Sequence, residues 1–180
     1  MLLKIEETPF AKGALRAAFR CLEESVNTSD LSHLLKTTAV DWAKARRWVV
    51  KTFLHPPERG EEMEAVRSDV MGQTLAKHYG NKYNRMNPIR KVDFLEASYI
   101  EVPETGKVYA AEAYVEGEYV KYSNNSGWYD VAENRNTPHA FSHFTYQASG
   151  GELMIVDIQG VGDLFTDPVV HHRTCAKPAA

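Results

Sequence analysis

The stretch "MIVDIQGVGDLFTDP", residues 154–168, decides how the chain is read. An apolar run, Leu153 to Val156, meets Asp157, and Gln159, Gly160, Gly162, Asp163 and Asp167 follow at once. A continuously apolar run, as opposed to an alternating one, reads as a buried strand, here "ELMIVDI" at 152–158. A charge in such a strand costs on the order of several kcal/mol unless it is paired or bound to a metal. Two readings of Asp157 are therefore open. It is a strand-end aspartate bonded to loop amides, or it belongs to a site. Gln159 and Asp167 add oxygen donors on either side of a flexible turn. Oxygen donors with an incomplete shell suit Mg²⁺ carrying phosphates. Gly160 and Gly162 let backbone approach closely.

Upstream, "NTPHAFSHFTYQASG" (136–150) reads as a helix. Thr137 is the expected N-cap and Pro138 the first helical position, with Phe141 and Phe144 inside and a stop at Gly150-Gly151. Residues 62–84 read as a longer helix, with Val66, Val70, Met71, Leu75, Tyr79 and Tyr83 at three- and four-residue steps. Gly72 and Gly80 weaken it. Residues 45–54, "ARRWVVKTFL", alternate as a strand before "HPPERG" breaks the chain. Residues 91–102 and 107–115 are β-rich about a turn at "PETG", and "YSNNSG" (122–127) is a loop. Strands and helices in this mixed order predict an α+β fold.

The chain has 180 residues, net charge −3 and 43% hydrophobic content, enough for one domain with a sizeable core. With a pI near 6.2 it carries no basic field for a nucleic acid. Two cysteines, Cys21 and Cys175, are too few for a disulfide framework and fit a reducing compartment. "MLLKIEETPF" lacks the apolar core of a secretory signal, and no run approaches the ~20 residues of a membrane span. A cytoplasmic location with no membrane partner is expected. The sequons at Asn27 and Asn124 then read as chance.

Familiar nucleotide signatures are missing: no GxxxxGK[ST], no GxGxxG beyond Gly160-Val161-Gly162, and no HRD or DFG. "VDIQGVGDLFTDP" instead resembles the signature of the alpha-kinases, a family of atypical protein kinases. "PFAKGALRAAFR" (9–20) resembles the family's first phosphate-side strand and "WVVK" (48–51) the strand with the nucleotide lysine. "DVMGQTLAKHYGNKYN" (69–84) resembles its D-V-x-x-Q-x-x-A helix. "EAYVEGEYVKYSNNSG" (112–127) resembles the hinge, and 136–150 the helix before the catalytic strand. Within the family the likeness is nearest to the elongation factor 2 kinases.

The resemblance implies a two-lobed α+β fold, with an N-lobe at about 1–115, the start of a C-lobe at about 116–175 and a tail at 176–180. It implies transfer of the γ-phosphate of ATP to a serine or threonine of a protein substrate, elongation factor 2 among the candidates, with Mg²⁺. Asp157 is then the catalytic aspartate, Gln159 and Asp167 the metal pair, and Thr166 an active-site threonine. Lys51 holds phosphates, where a bare strand lysine would snorkel along the surface. Arg16 approaches the α-phosphate. Glu112, Tyr114 and Val115 form the adenine hinge, with Ala111, Ala113 and Val115 either its walls or plain strand packing. Lys121 and Asn125 lie near the phosphates, or in a polar turn. Arg90, Arg135 and Thr137 form an anion pocket, or are solvated surface.

The resemblance also implies a structural Zn²⁺, for which His143 matches one ligand. The family's GxGNxG loop and H-x-C-x-x-x-C helix are missing, and Cys175 with His171 or His172 is a weak substitute. The expectation is a domain lacking its C-terminal part. Its alternative function is nucleotide or partner binding without phosphoryl transfer.

Overall fold

The computed structural model describes residues 2–24, 45–55, 61–103, 105–131 and 135–173. The Asn27 sequon, the break at 56–60 and Cys175 lie outside them. The described residues form two compact units, the first within Met1–Arg67 and Ser98–Tyr114, the second within Ser68–Ala97 and Val115–Ala180. Residues 68–97 group with the second unit.

The first unit is built on a sheet of strands β1 (Leu2–Ile5), β2 (Ala11–Lys12), β3 (Arg16–Glu24), β4 (Arg46–Phe53), β6 (Ala97–Val102) and β7 (Lys107–Ala113). Their order is β1-β3-β4-β7-β6, with β2 paired to β3. β4 is antiparallel to both neighbours, with Ala18 opposite Lys51 and Glu112 opposite Val49. Its alternation buries Val50 with Cys21 and Ala111, and Trp48, Phe19, Ile5 and Tyr109 pack around them. Trp48 reaches the neighbouring strand β3, its indole N–H donating to Glu23 at 2.7 Å.

The second unit holds most of α1 (Glu62–Arg85), then β5 (Asp93–Phe94), β8 (Tyr119–Lys121), α2 (Thr137–Ala148), β9 (Leu153–Val156), β10 (Gln159–Val161), β11 (Leu164–Thr166) and β12 (Val169–His172). One sheet runs β5-β11-β10-β8 and a ribbon pairs β12 with β9. The core is aromatic. Phe94 lies 5.3 Å from Phe141 and 5.6 Å from Phe165, and Tyr83 closes on Phe144 at 5.3 Å. Ala76, Val92, Ile155 and Ile158 fill the spaces. Helix α1 passes through Gly72 and Gly80 unbroken; a Cβ at Gly80 would stand 3.6 Å from Phe94 and Val92. Packing against β5 supplies what propensity withholds there.

Two local expectations change. Asn136, not Thr137, occupies the cap position of α2, with no side-chain capping bond. Thr137 is the first helical residue, so Pro138 falls in the first turn, where its missing N–H costs nothing. The helix ends in a Schellman motif, Gly151 N–H to Tyr146 C=O and Gly150 N–H to Gln147 C=O, with Gly150 at φ 68°. β9 is also less buried than its apolar run suggests. Only Ile155 is wholly enclosed, because the strand belongs to a two-stranded ribbon with one face on α2. There Thr145 Oγ1 accepts the Ile155 N–H at 3.0 Å.

Candidate active site

In the first unit, Lys51 and Glu112 project from the adjacent strands β4 and β7. Their Nζ and Oε1 are 2.7 Å apart, with side chains only 12% and 8% exposed. Lys51 is therefore no snorkelling surface lysine. The pair is mutually compensated, as buried charges must be. Arg16 opens β3 opposite Phe53 and is half-buried. Tyr114 follows β7, donates its N–H to the Arg47 carbonyl at 3.0 Å and carries the Arg47 guanidinium 5.4 Å over its ring. Ala111 is 1% exposed in the sheet core, so its methyl is strand packing, while Ala113 is exposed.

The acidic segment lies in the second unit. β9 stops at Val156, so Asp157 stands just past the strand end, at φ 58°. A non-glycine residue in the left-handed region is strained by about 1–2 kcal/mol and persists only where its surroundings hold it. Here the next residue is pinned on both sides. Ile158 donates its N–H to Ser123 Oγ at 3.1 Å, and its carbonyl accepts the Tyr122 N–H at 2.9 Å. The Asp157 carboxylate is 15% exposed and meets the Lys121 ammonium of β8 at 2.7 Å. The approach lies outside hydrogen-bonding angles, so Oδ1 is compensated by charge alone.

The chain then turns through the β10–β11 hairpin, which pairs Gln159 with Thr166. Gly160 is obligatory: a Cβ there would stand 2.2 Å from the Leu164 carbonyl oxygen. Asp167 leaves the hairpin at φ 58°, so two aspartates with the same uncommon backbone bracket it. Gln159 points its amide nitrogen at the Asp167 carbonyl, 3.4 Å away. That turn leaves the amide oxygen as the group it could offer a cation. Gln159 and Asp167 carry hard oxygen donors of the kind that would suit Mg²⁺.

Gln73, a buried polar residue on α1, joins these residues. Its Oε1 accepts the Asp167 N–H at 2.9 Å and lies 3.5 Å from Thr166 Oγ1, and its Nε2 donates to the Leu95 carbonyl at 2.9 Å. The only signal was its place in "DVMGQTLA", as the glutamine of the family helix pattern.

The remaining candidates stand apart from this cluster in kind. Asn125 is exposed in a turn held by Asn124 Oδ1, which accepts the Ser126 and Trp128 amides at 2.9 and 2.8 Å. Val115 is half-buried beyond β7. Arg135 is not a solvated surface arginine. It is ion-paired with Asp163, donates to Tyr122 Oη at 2.8 Å and to the Gly162 carbonyl at 2.6 Å, and lies over the rings of Tyr122 and Phe165. Arg90 is exposed in the bend after α1, and Thr137 opens α2 half-buried. His143 is exposed on α2. Among the described residues no group of three or more His, Cys, Asp and Glu side chains is placed to hold a metal ion.

The match to a family model settles the kinship: residues 11–177 match the alpha-kinase family. The chain belongs to the alpha-kinase family. Human eukaryotic elongation factor 2 kinase is 42% identical over 176 residues, 97% of this chain. Myosin heavy chain kinase B of Dictyostelium discoideum is 43% identical over 173 residues, 94% of it. The chain spans about a fifth of the length of these relatives, 22% and 21%. Among solved structures, the alpha-kinase domain of myosin heavy chain kinase A in complex with AMPPCP superposes with a TM-score of 0.77 at 32% identity. That match covers 96% of this chain and 74% of the other. The expected α+β alpha-kinase fold is therefore the fold of this chain. No helix of the described residues is long and apolar enough to cross a membrane.

Proposed function

We propose that this alpha-kinase chain transfers the γ-phosphoryl group of ATP to a serine or threonine hydroxyl of a protein, elongation factor 2 being the acceptor its similarity favours. The observation that carries the reading is the β10–β11 hairpin, bracketed by Asp157 and Asp167 in matching left-handed conformations. Strain of that kind gathers where side chains must be aimed.

Asp157, compensated by Lys121, orients an acceptor hydroxyl and takes its proton as the oxygen bonds to the γ-phosphorus and the bond from that phosphorus to the bridging oxygen breaks, ADP leaving. Gln159 and Asp167 would hold Mg²⁺, which when bound neutralises charge on the phosphates. Lys51 supplies a fixed ammonium for the triphosphate, and Glu112 keeps it in place while that site is empty of anion. Arg16, Glu112, Tyr114, Val115, Lys121 and Asn125 are assigned to nucleotide contacts, Thr166 to the active site beside Asp167, and Arg90, Arg135 and Thr137 to an anion pocket. Arg135 would serve there only by exchanging Asp163 for the incoming anion. Zn²⁺ through His143 is not assigned, since one exposed imidazole is no zinc site.

The test is label transfer from γ-labelled ATP to elongation factor 2 and to a basic protein, with the nucleotide's own binding measured in parallel. Transfer that Asp157→Ala abolishes supports the proposal. Tight nucleotide binding with no transfer to either acceptor would make the chain a nucleotide-binding module.

A further inference from the structure

Asp167 lies at φ 58° at the end of a three-residue strand, and nothing in its own sequence neighbourhood explains why it stays there. Aspartate visits the left-handed region more readily than most residues, yet an ordinary loop would relax out of it. The restraint comes from 94 positions earlier in the chain. Gln73, 4% exposed within α1, accepts the Asp167 N–H at 2.9 Å. The other end of the same planar amide donates to the Leu95 carbonyl at 2.9 Å, which fixes the amide's orientation and so the direction of its acceptor. On the far side of Asp167, its carbonyl receives Gln159 Nε2. Both peptide groups of Asp167 are thus clamped, one by α1 and one by the other proposed metal ligand. A side chain whose backbone is clamped on both sides has only its own two torsions left with which to aim.

We infer that Gln73 is a positioning residue: through the Asp167 amide it aims the Asp167 carboxylate at the cation. The inference rests on the reading of Asp167 as a metal ligand. It adds that a helix residue without a cation contact of its own sets that ligand's affinity. What the role needs from position 73 is an acceptor aimed at the Asp167 N–H. Methionine matches its length but neither accepts nor donates a hydrogen bond of comparable strength. Glutamate keeps the acceptor toward Asp167 and gives up the donor toward Leu95.

The experiment measures Mn²⁺ binding by electron paramagnetic resonance, on the whole chain with AMPPCP present, alongside the thermal midpoint and the Mg²⁺ dependence of label transfer. Gln73→Met is expected to weaken Mn²⁺ by about 10-fold, the lower end of what losing a ligand's hydrogen-bond partner costs. The Mg²⁺ concentration for half-maximal transfer rises by a like factor, with kcat recovered at high Mg²⁺. Gln73→Glu lowers the thermal midpoint, yet keeps Mn²⁺ affinity within about threefold of the parent, because the Asp167 N–H still has its acceptor. Mn²⁺ affinity that simply follows the thermal midpoint across the two variants would overturn the inference, since that is the behaviour of a packing residue. Should Gln73→Met not fold, Gln73→Glu decides alone, and a loss of Mn²⁺ affinity in step with its midpoint refutes it. Asp167→Asn separates the two levels. If it binds Mn²⁺ as the parent does, the metal reading itself fails. If it loses Mn²⁺ while Gln73→Met does not, only the role of Gln73 falls.

Discussion

Replacing Lys51 by methionine is usually imagined as a clean removal of a phosphate contact, and the structure argues otherwise. Lys51 Nζ lies 2.7 Å from Glu112 Oε1 and both side chains are about nine-tenths enclosed. Methionine would leave the Glu112 carboxylate in that enclosure without its cation. Breaking a buried pair from one side costs about 3–5 kcal/mol, because the surviving charge stays enclosed and loses the counter-ion that compensated it. For a domain of this size each kcal/mol moves the midpoint by about 2–4 °C, so Lys51→Met should melt roughly 6–20 °C below the parent. The companion variant Lys51→Met/Glu112→Leu removes both charges and should regain most of that loss, since an apolar pair of similar volume is often as stable as the ions it replaces. Differential scanning calorimetry reads the stability, and isothermal titration with AMPPCP reads the nucleotide. The double variant should be stable and still fail to bind. A single variant melting within about 2 °C of the parent would refute the buried-pair reasoning. A double variant binding AMPPCP normally would refute the nucleotide role of Lys51.

Asp157→Asn should reduce label transfer by at least about 100-fold, the low end of general-base contributions, without moving the Mg²⁺ concentration for half-maximal rate. Asp167→Asn should raise that concentration instead, and identical Mg²⁺ titrations in the two would contradict the division of roles. Gly160→Ala should cost about 3 kcal/mol or more, because its Cβ would be forced to 2.2 Å from the Leu164 oxygen. Gly162→Ala, at φ 59° with open space around it, should cost only about 1–2 kcal/mol, and chemical denaturation distinguishes the two. Burial, with Glu23 nearby, pushes the Cys21 thiol up from 9.0 to about 11. The folded state thus holds a proton that the unfolded state loses first. Stability from this group is full below pH 9 and declines as pH rises toward 11, a decline that Cys21→Ala should remove from the unfolding curve. Iodoacetamide at pH 8 should label Cys21 only as fast as the sheet opens.

Local pattern determined a good part of this molecule. The alternation at 45–54 is β4, the three- and four-residue spacing at 62–84 is α1, and Gly150-Gly151 ends α2 with a left-handed turn that side chains resist. Each of these depends on residues within a turn or two of one another, and periodicity and glycine placement record such demands directly. The order of motifs from 9 to 168 likewise carries the alpha-kinase pattern with no contact specified. What the linear chain could not express is which partner each polar group takes. That Lys51 pairs with Glu112 depends on β4 and β7 lying side by side in one register. That Arg135 holds Asp163, 28 positions on, and that Gln73 holds Asp167, 94 positions on, depends on how the second unit closes around its aromatic core. The left-handed backbone at Asp157 and Asp167 belongs to the same class, since aspartate permits that conformation without requiring it. Sequence determined which side chains could do chemistry; tertiary structure decided where they point, because burial makes every polar group find a partner and only the folded chain has the partners within reach.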